Sequence, residues 1–290
     1  MADICTQGID TGFVALGYAR IAILGVVQGL TELLPVSSTA HMRLVPALLG
    51  WQDPGSAFSA AMQLAALAAI VSYFWGDVRF VTSGAIVAVR KKDYNALPFR
   101  MAVAIVIATI PIAVVGVLLS SRLNACGTSF RSLYVIGTAC LGMGGILAVA
   151  ELYCRHSRSM GEMRLRDALI VGLAQVGALW PGVSRSGSTL TAALFLDFKR
   201  EEAARFSFLL GVPAIALAGL KELYELHKAH IPLEAWSVLA VGLIVGSISS
   251  FIAIWGLMRF LERFSAWPFV AYRIFIGIVI LFGVASYGWV

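Results

Sequence analysis

An arginine set among hydroxyl residues just after a proline–glycine pair is the first feature with chemical potential. The segment reads Trp180-Pro181-Gly182-Val183-Ser184-Arg185-Ser186-Gly187-Ser188-Thr189. Pro181-Gly182 ends one short apolar helix, and the hydroxyl residues open the next. A helix start presents N–H groups without intrahelical partners, the positive end of the dipole and, here, several hydroxyls. A guanidinium fork added to such a start suits it to phosphate. Ser184, Arg185, Ser186, Gly187 and Thr189 are therefore candidate phosphate contacts. The other uses open to Arg185 are an ion pair with Glu32 or snorkelling to an interface.

A second broken segment, Gly25 to Met42, reads GVVQGLTELLPVSSTAHM. Glu32 is the one carboxylate in the two broken segments, and Gln28 lies one helical turn earlier on the same face. Such an acid can serve as a general base, or bind Mg2+ jointly with Gln28 and substrate phosphates. It can equally be the partner of Arg185. Ser37, Ser38 and Thr39 follow Pro35 at the next helix start, where Ser37 and Thr39 are further candidate phosphate contacts. One of the serines can act as a nucleophile if a base is adjacent, although an N-cap is the commoner use of a serine there. His41 falls within a turn of Ser38 and can move protons near neutral pH. His156, His227 and His230 fall in expected loops and receive no role.

The elements that hold these residues are set by composition. Hydrophobic residues make up 59% of the 290-residue chain and charged residues 13%, and the mean hydropathy is +0.86. An ordinary globular chain is about 45–50% apolar and about 25% charged. A soluble domain, a disordered chain and a disulfide scaffold are excluded, and the pattern is that of a polytopic membrane protein. The net charge of +6 reflects basic cytoplasmic loops rather than a nucleic-acid partner. Cys5, Cys126, Cys140 and Cys154 show no metal-ligand spacing. The N-terminus carries acids where a cleaved leader needs basic residues.

Six stretches are apolar enough to cross: 58–75, 99–119, 132–152, 203–223, 236–258 and 268–289. Trp75, Tyr134, Tyr153, Tyr224, Trp236, Trp267 and Trp289 mark their edges, where amphipathic rings settle. The stretches 21–34 and 168–180 are too short, reaching about 21 Å against about 30 Å of hydrocarbon. Each runs into a proline, a hydroxyl patch and a second short apolar run, so each is expected to be a re-entrant helix–turn–helix hairpin.

Gly25 and Gln28 match Gly172 and Gln175, Pro35 matches Pro181, and Phe58-Ser59 matches Phe206-Ser207. The expected fold is thus an all-α membrane domain over 1–290, with six transmembrane helices and two re-entrant hairpins in an inverted-topology repeat. The first repeat is 17–150, with its hairpin at 21–49. The second is 165–290, with its hairpin at 168–196. Loops 76–100, 151–167, 197–205 and 259–267 hold 14 Lys and Arg against 6 on the other side. That bias puts both termini outside the cytoplasm. Inverted repeats place functional sites near the midplane, where broken helices from the two halves meet. Here one half supplies Glu32 and the other Arg185.

The segments 25–42 and 178–189 resemble those of the bacterial undecaprenyl-pyrophosphate phosphatase family, the bacitracin-resistance proteins, and the resemblance spans essentially the whole chain. It implies a plasma-membrane hydrolase that removes the terminal phosphate of undecaprenyl pyrophosphate, recycles the lipid carrier for peptidoglycan synthesis and confers bacitracin resistance. It further implies an outward-opening site and a required divalent cation, Mg2+ or Ca2+. Glu32 matches the second acid of the family's Glu/Gln-x-x-x-Glu motif, Ser38 the proposed nucleophile with Ser37 beside it, and His41 the proposed catalytic histidine. Arg185, with Ser184, Ser186 and Thr189, matches the phosphate-binding segment. Gln28 stands where many members have Glu, which leaves Glu32 carrying more of any metal or proton role. The expected partners are the lipid substrate and the bilayer, with a homodimer left open. The competing class is an inverted-repeat transporter or flippase of a phosphate-bearing lipid, which would need the arginine and hydroxyls but no nucleophile.

Overall fold

Two prolines decide where the chain breaks. A residue before proline is pushed out of the helical region, and Leu34 (ψ 144°) and Trp180 (ψ 121°) are both extended. These breaks sit inside an all-helical membrane protein, seen in a computed structural model that describes residues 5–6, 9–10, 12–123 and 131–289, with the backbone alone for 5–6, 9–10 and 120–123. Cys126 and the side chains of Cys5 and Arg122 lie outside the described residues.

The helices run α1 (Gly17–Leu33), α2 (Ser38–Leu49), α3 (Ser56–Ala61), α4 (Gln63–Tyr73), α5 (Trp75–Lys91), α6 (Leu97–Leu123), α7 (Leu133–Tyr153), α8 (Leu165–Val176), α9 (Arg185–Phe195), α10 (Arg200–Lys228), α11 (Leu233–Leu261) and α12 (Trp267–Tyr287). A two-residue ladder, Cys5–Thr6 with Ile9–Asp10, precedes them. Phe275, Ile278 and Phe282 on α12 and Ile244 and Ile248 on α11 are exposed, as lipid-facing side chains are in a membrane protein.

Among the described residues seven helical stretches, by length and composition, could cross a membrane, one more than the six expected. The additional one is Gly12–Leu33, the inbound limb of the first hairpin, which starts well before residue 21 because a 3-10 turn at Gly12–Leu16 leads into α1. Its path is nonetheless that of a hairpin. The chain turns at 34–37 and returns as α2, and Trp51 then lies beside the Arg20 guanidinium, 5.6 Å from ring centroid to Cζ. The second hairpin closes in the same way. Arg158 binds Asp167 at the start of α8 (2.6 Å) and the Leu196 carbonyl at the end of α9 (2.9 Å).

Three further expectations change. Residues 76–100 are not all loop, since α5 occupies Trp75–Lys91 and Arg205 pairs with its Asp77. The stretch 58–75 is two helices jointed at Met62. His227 lies in the last turn of α10 rather than in a loop.

Packing around the hairpins relies on small residues, because between lipid-bathed helices close backbone approach replaces the hydrophobic drive. Helix α1 lies along α11 and α8 along α6. Gly25 and Gly29 face Gly242 and Gly246, and a Cβ at Gly25 would stand 2.9 Å from the Gly242 carbonyl. The matching Gly172 meets α6 even more closely, 2.5 Å from the Ala108 carbonyl. A side chain at either position would push a hairpin limb off its supporting helix.

Candidate active site at the two hairpin tips

Each tip is turned by a serine in the left-handed region. Ser37 and Ser184 both have φ 71°, a conformation that costs a non-glycine residue roughly 1–3 kcal/mol. Each offsets part of that cost as an N-cap. The Ser37 Oγ accepts from the Ala40 N–H (3.4 Å), and the Ser184 Oγ accepts from the Gly187 N–H (3.1 Å). Ser38 and Arg185 then occupy the first positions of α2 and α9.

The tips meet. Glu32, near the end of α1, is buried, and its Oε2 accepts from the Ser38 hydroxyl at 2.6 Å and from the Gln28 amide at 2.9 Å. Its Oε1 faces the Arg185 Nη2 at 3.4 Å. One carboxylate thus has a serine on one oxygen and a guanidinium on the other. The Nε and Nη1 of Arg185 are buried without a hydrogen-bond partner among the described residues. Buried donors are normally satisfied, so two unused N–H directions beside a serine hydroxyl define a place for an anion.

His41 is near by in sequence but engaged elsewhere. Its Nδ1 lies 2.8 Å from the Ser37 carbonyl and its Nε2 2.8 Å from the Tyr272 hydroxyl. A carbonyl only accepts, so Nδ1 carries the proton and Nε2 accepts from the phenol. The group bonded to Ser38 is therefore Glu32, not His41. Thr39 is half-buried on α2 with no side-chain hydrogen bond among the described residues.

Several expected phosphate ligands are used on the protein itself. The Ser186 hydroxyl lies 3.1 Å from both the Glu32 and the Leu34 carbonyls. The Thr189 hydroxyl donates to the Arg185 carbonyl (2.8 Å) and lies 2.5 Å from the Ser207 hydroxyl. Ser184 and Ser186 are 3.2 Å apart, Oγ to Oγ. Of the second tip, Arg185 is left to face a ligand, with Gly187 and the N–H groups of the first turn of α9 around it. Gln175, the repeat partner of Gln28, is turned onto the Ala108 carbonyl at 3.4 Å and takes no part.

Two residues that motif reading passed over complete the site. Arg273 on α12 is 1% exposed. It donates to the Pro35 carbonyl of the first tip (3.1 Å) and to the Gly182 and Val183 carbonyls of the second (2.9 and 3.0 Å). These are carbonyls that broken helices leave unpaired, and at membrane depth no water replaces a lost partner. Two guanidiniums and one carboxylate then share the centre, a positive surplus suited to a phosphate. The second residue is Gly211 on α10, where a Cβ would stand 2.2 Å from the Arg185 Nη1. Arg273 was visible as a charge within an apolar stretch, and Gly211 as a glycine inside a helix, but neither belongs to a local pattern.

Among the described residues, no three His, Cys, Asp or Glu come together as a metal cage. The oxygens available are those of Glu32 and the Gln28 side-chain amide. They fit a hard cation that takes the rest of its shell from substrate phosphates and water.

Comparison with known proteins places the chain in a family. A family model described as bacitracin resistance protein BacA matches residues 21–279. A protein of Mesorhizobium japonicum named undecaprenyl-diphosphatase 2 is 67% identical over 263 residues, covering 91% of this chain and 99% of the relative. Proteins named undecaprenyl-diphosphatase from Synechococcus elongatus and Synechocystis are 48% and 44% identical, covering 91% and 95% of this chain and 92% and 86% of theirs. The matched region contains both hairpin tips and Arg273, and the chain belongs to the bacitracin resistance protein BacA family.

Proposed function

We propose that this protein hydrolyses the terminal phosphate of undecaprenyl diphosphate at the hairpin tips, giving undecaprenyl phosphate and inorganic phosphate. The observation that carries the reading is the Ser38–Glu32–Arg185 constellation, a nucleophile and an anion holder each within hydrogen-bonding reach of one base. A flippase needs the arginine but has no use for a serine bonded to a carboxylate at 2.6 Å.

In this mechanism the diphosphate is held by Arg185 through the Nε and Nη1 left unpaired, with the first N–H groups of α9 beside it. Preorganised donors of this kind stabilise charge developing on a transferring phosphoryl group. Glu32 takes the Ser38 proton, and the Ser38 oxygen bonds to the terminal phosphorus. The bond from that phosphorus to the bridging oxygen breaks, and the lipid monophosphate leaves with the electron pair. Water then attacks the phosphorus of the phosphoserine and gives up a proton, the bond to the Ser38 oxygen breaks, Glu32 returns its proton to Ser38, and inorganic phosphate leaves; in the direct variant, Ser38 aligns a water that attacks in its place. His41 relays the proton that the water gives up. A divalent cation, Mg2+ or Ca2+, held by Glu32 and Gln28 would neutralise phosphate charge when bound. All these groups come from one chain, so catalysis does not require a homodimer.

The arrangement in the membrane is part of the proposal. The two halves form an inverted repeat with re-entrant hairpins. Support comes from the paired serine turns, the paired glycine contacts, and the exchange by which α1 packs on α11 and α8 on α6. With the basic loops inside, both termini lie outside the cytoplasm and the site opens to the outer side of the bacterial plasma membrane. The test is phosphate release from undecaprenyl diphosphate by purified protein in detergent, where transport is impossible. Wild type should turn over and Arg185→Ala, still folded, should lose at least about 10^2-fold in kcat/KM. Equal turnover in the two removes Arg185 from the site; none in wild type removes the phosphatase.

A further inference from the structure

The imidazole of His41 has one nitrogen free to gain or lose a proton, and a single side chain occupies it. Because Nδ1–H is committed to the Ser37 carbonyl, Nε2 is the titrating atom, and its partner is the Tyr272 hydroxyl at 2.8 Å. The two rings are also stacked, parallel within 1° with centroids 5.6 Å apart, so the phenol meets the imidazole by both a hydrogen bond and a ring contact. Tyr272 comes from α12, 231 residues away in the chain, and neighbours Arg273, which clamps both tips. His41 is buried, whereas Tyr272 is 41% exposed. The phenol therefore stands between the buried imidazole and the outside of the helix bundle.

A phenol is suited to this position because it can serve both states of the ring. Its O–H donates to neutral Nε2, and after the ring is protonated the same oxygen accepts from Nε2–H by rotation of the hydroxyl. Phenylalanine would fill the same space and do neither. An isoleucine or valine, common in the rest of α12, would leave the Nε2 lone pair facing apolar surroundings.

We propose that Tyr272 is the positioning residue for His41, holding the imidazole through Nε2 in both protonation states and so setting its competence to relay a proton. This rests on the phosphatase reading above and assigns a role to a residue outside both hairpin motifs.

The test uses full-length protein in detergent, with undecaprenyl diphosphate as substrate and 15N-histidine labelling for NMR. His41 signals are assigned by their loss in His41→Asn. In Tyr272→Phe the His41 Nε2 resonance should move towards that of a nitrogen with no donor, while the other three histidines stay unchanged. The same variant should lose about tenfold in kcat, the scale of one hydrogen bond, with KM within twofold of wild type and an unaltered melting temperature. A merely structural role would instead lower the melting temperature and leave the His41 nitrogen signals alone. If wild type turns over and Tyr272→Phe keeps both its kcat and its His41 signals, the inference is overturned alone. If wild type releases no phosphate, the phosphatase reading falls and takes the inference with it.

Discussion

Replacing Gly211 by alanine tests whether the position of the Arg185 guanidinium, rather than its mere presence, governs turnover. The added Cβ would lie 2.2 Å from Nη1 and 3.0 Å from Cζ. Ordinary contact between such atoms begins near 3.4 Å, so the guanidinium must retreat by about 1 Å. The Arg185 side chain is only 9% exposed, and its pair with Glu32 is already 3.4 Å long. A misplacement of about 1 Å can cost roughly 10^2-fold in rate, equivalent to about 2.7 kcal/mol of transition-state stabilisation. The fold should suffer less. Alanine gains about 1 kcal/mol over glycine in a helix interior, against about 1–3 kcal/mol for overpacking, a net loss near 0–2 kcal/mol. The assay is phosphate release in detergent, read beside a melting curve. Gly145→Ala is the control, since nothing lies within 4 Å of its Cβ position; its turnover should match wild type. A folded Gly211→Ala protein within threefold of wild-type kcat/KM would refute the reasoning.

The two serines of the first tip should separate. Ser38→Ala is expected to lose about 10^3-fold or more in kcat with little change in melting, whereas Ser37→Ala, which loses an N-cap, should cost about 0.5–2 kcal/mol in stability and far less in rate; a phosphoserine trapped at Ser38 by rapid quench would establish the covalent route. Chelation with EDTA should stop phosphate release, and Mg2+ or Ca2+ should restore it. His156, outside the spanning helices, is held below its ordinary 6.5 chiefly by burial and then by Arg200, against the pull of Glu151. Its neutral native form therefore supports the fold above pH 6.5, and that support is lost as pH falls through the lowered value. His156→Gln should flatten the acid-side decline of melting temperature between pH 8 and 5, and an unchanged decline would exclude His156 as its source.

What could be read from residue order was whatever lies within a few turns of a proline. Pro35 and Pro181 announced the breaks, and the hydroxyls after them announced the helix starts that bring Ser38 and Arg185 to the centre. The pairing of Glu32 with Arg185 followed from their being the unmatched charges of two similar segments. Contacts set by the packing of distant helices left no such trace. Arg273 reaches carbonyls 91 and 238 residues away, and Tyr272 reaches His41 from the same helix. Helix α5 was hidden because Arg79, Arg90 and Lys91 make its hydropathy read as loop. The first hairpin was cut short because Tyr18 and Arg20 look like a boundary, although the Arg20 guanidinium rests by Trp51. Nor does residue type show that the Ser186 and Thr189 hydroxyls, both suited to phosphate, bond neighbouring carbonyls in the folded protein.

The Ser186 and Arg273 contacts bear on how the enzyme meets its lipid. Together they stitch carbonyls of both hairpin tips across the pseudo-symmetric seam. An alternating-access cycle would have to pull that seam apart in the middle of the hydrocarbon, orphaning carbonyls at roughly 1–3 kcal/mol each with no water to take them. The seam therefore works as a fixed vice, not as a rocker. The pyrophosphate head must travel to the jaws, which stay shut. Fresh substrate then reaches the site by its own diffusion, not by any swing of the protein.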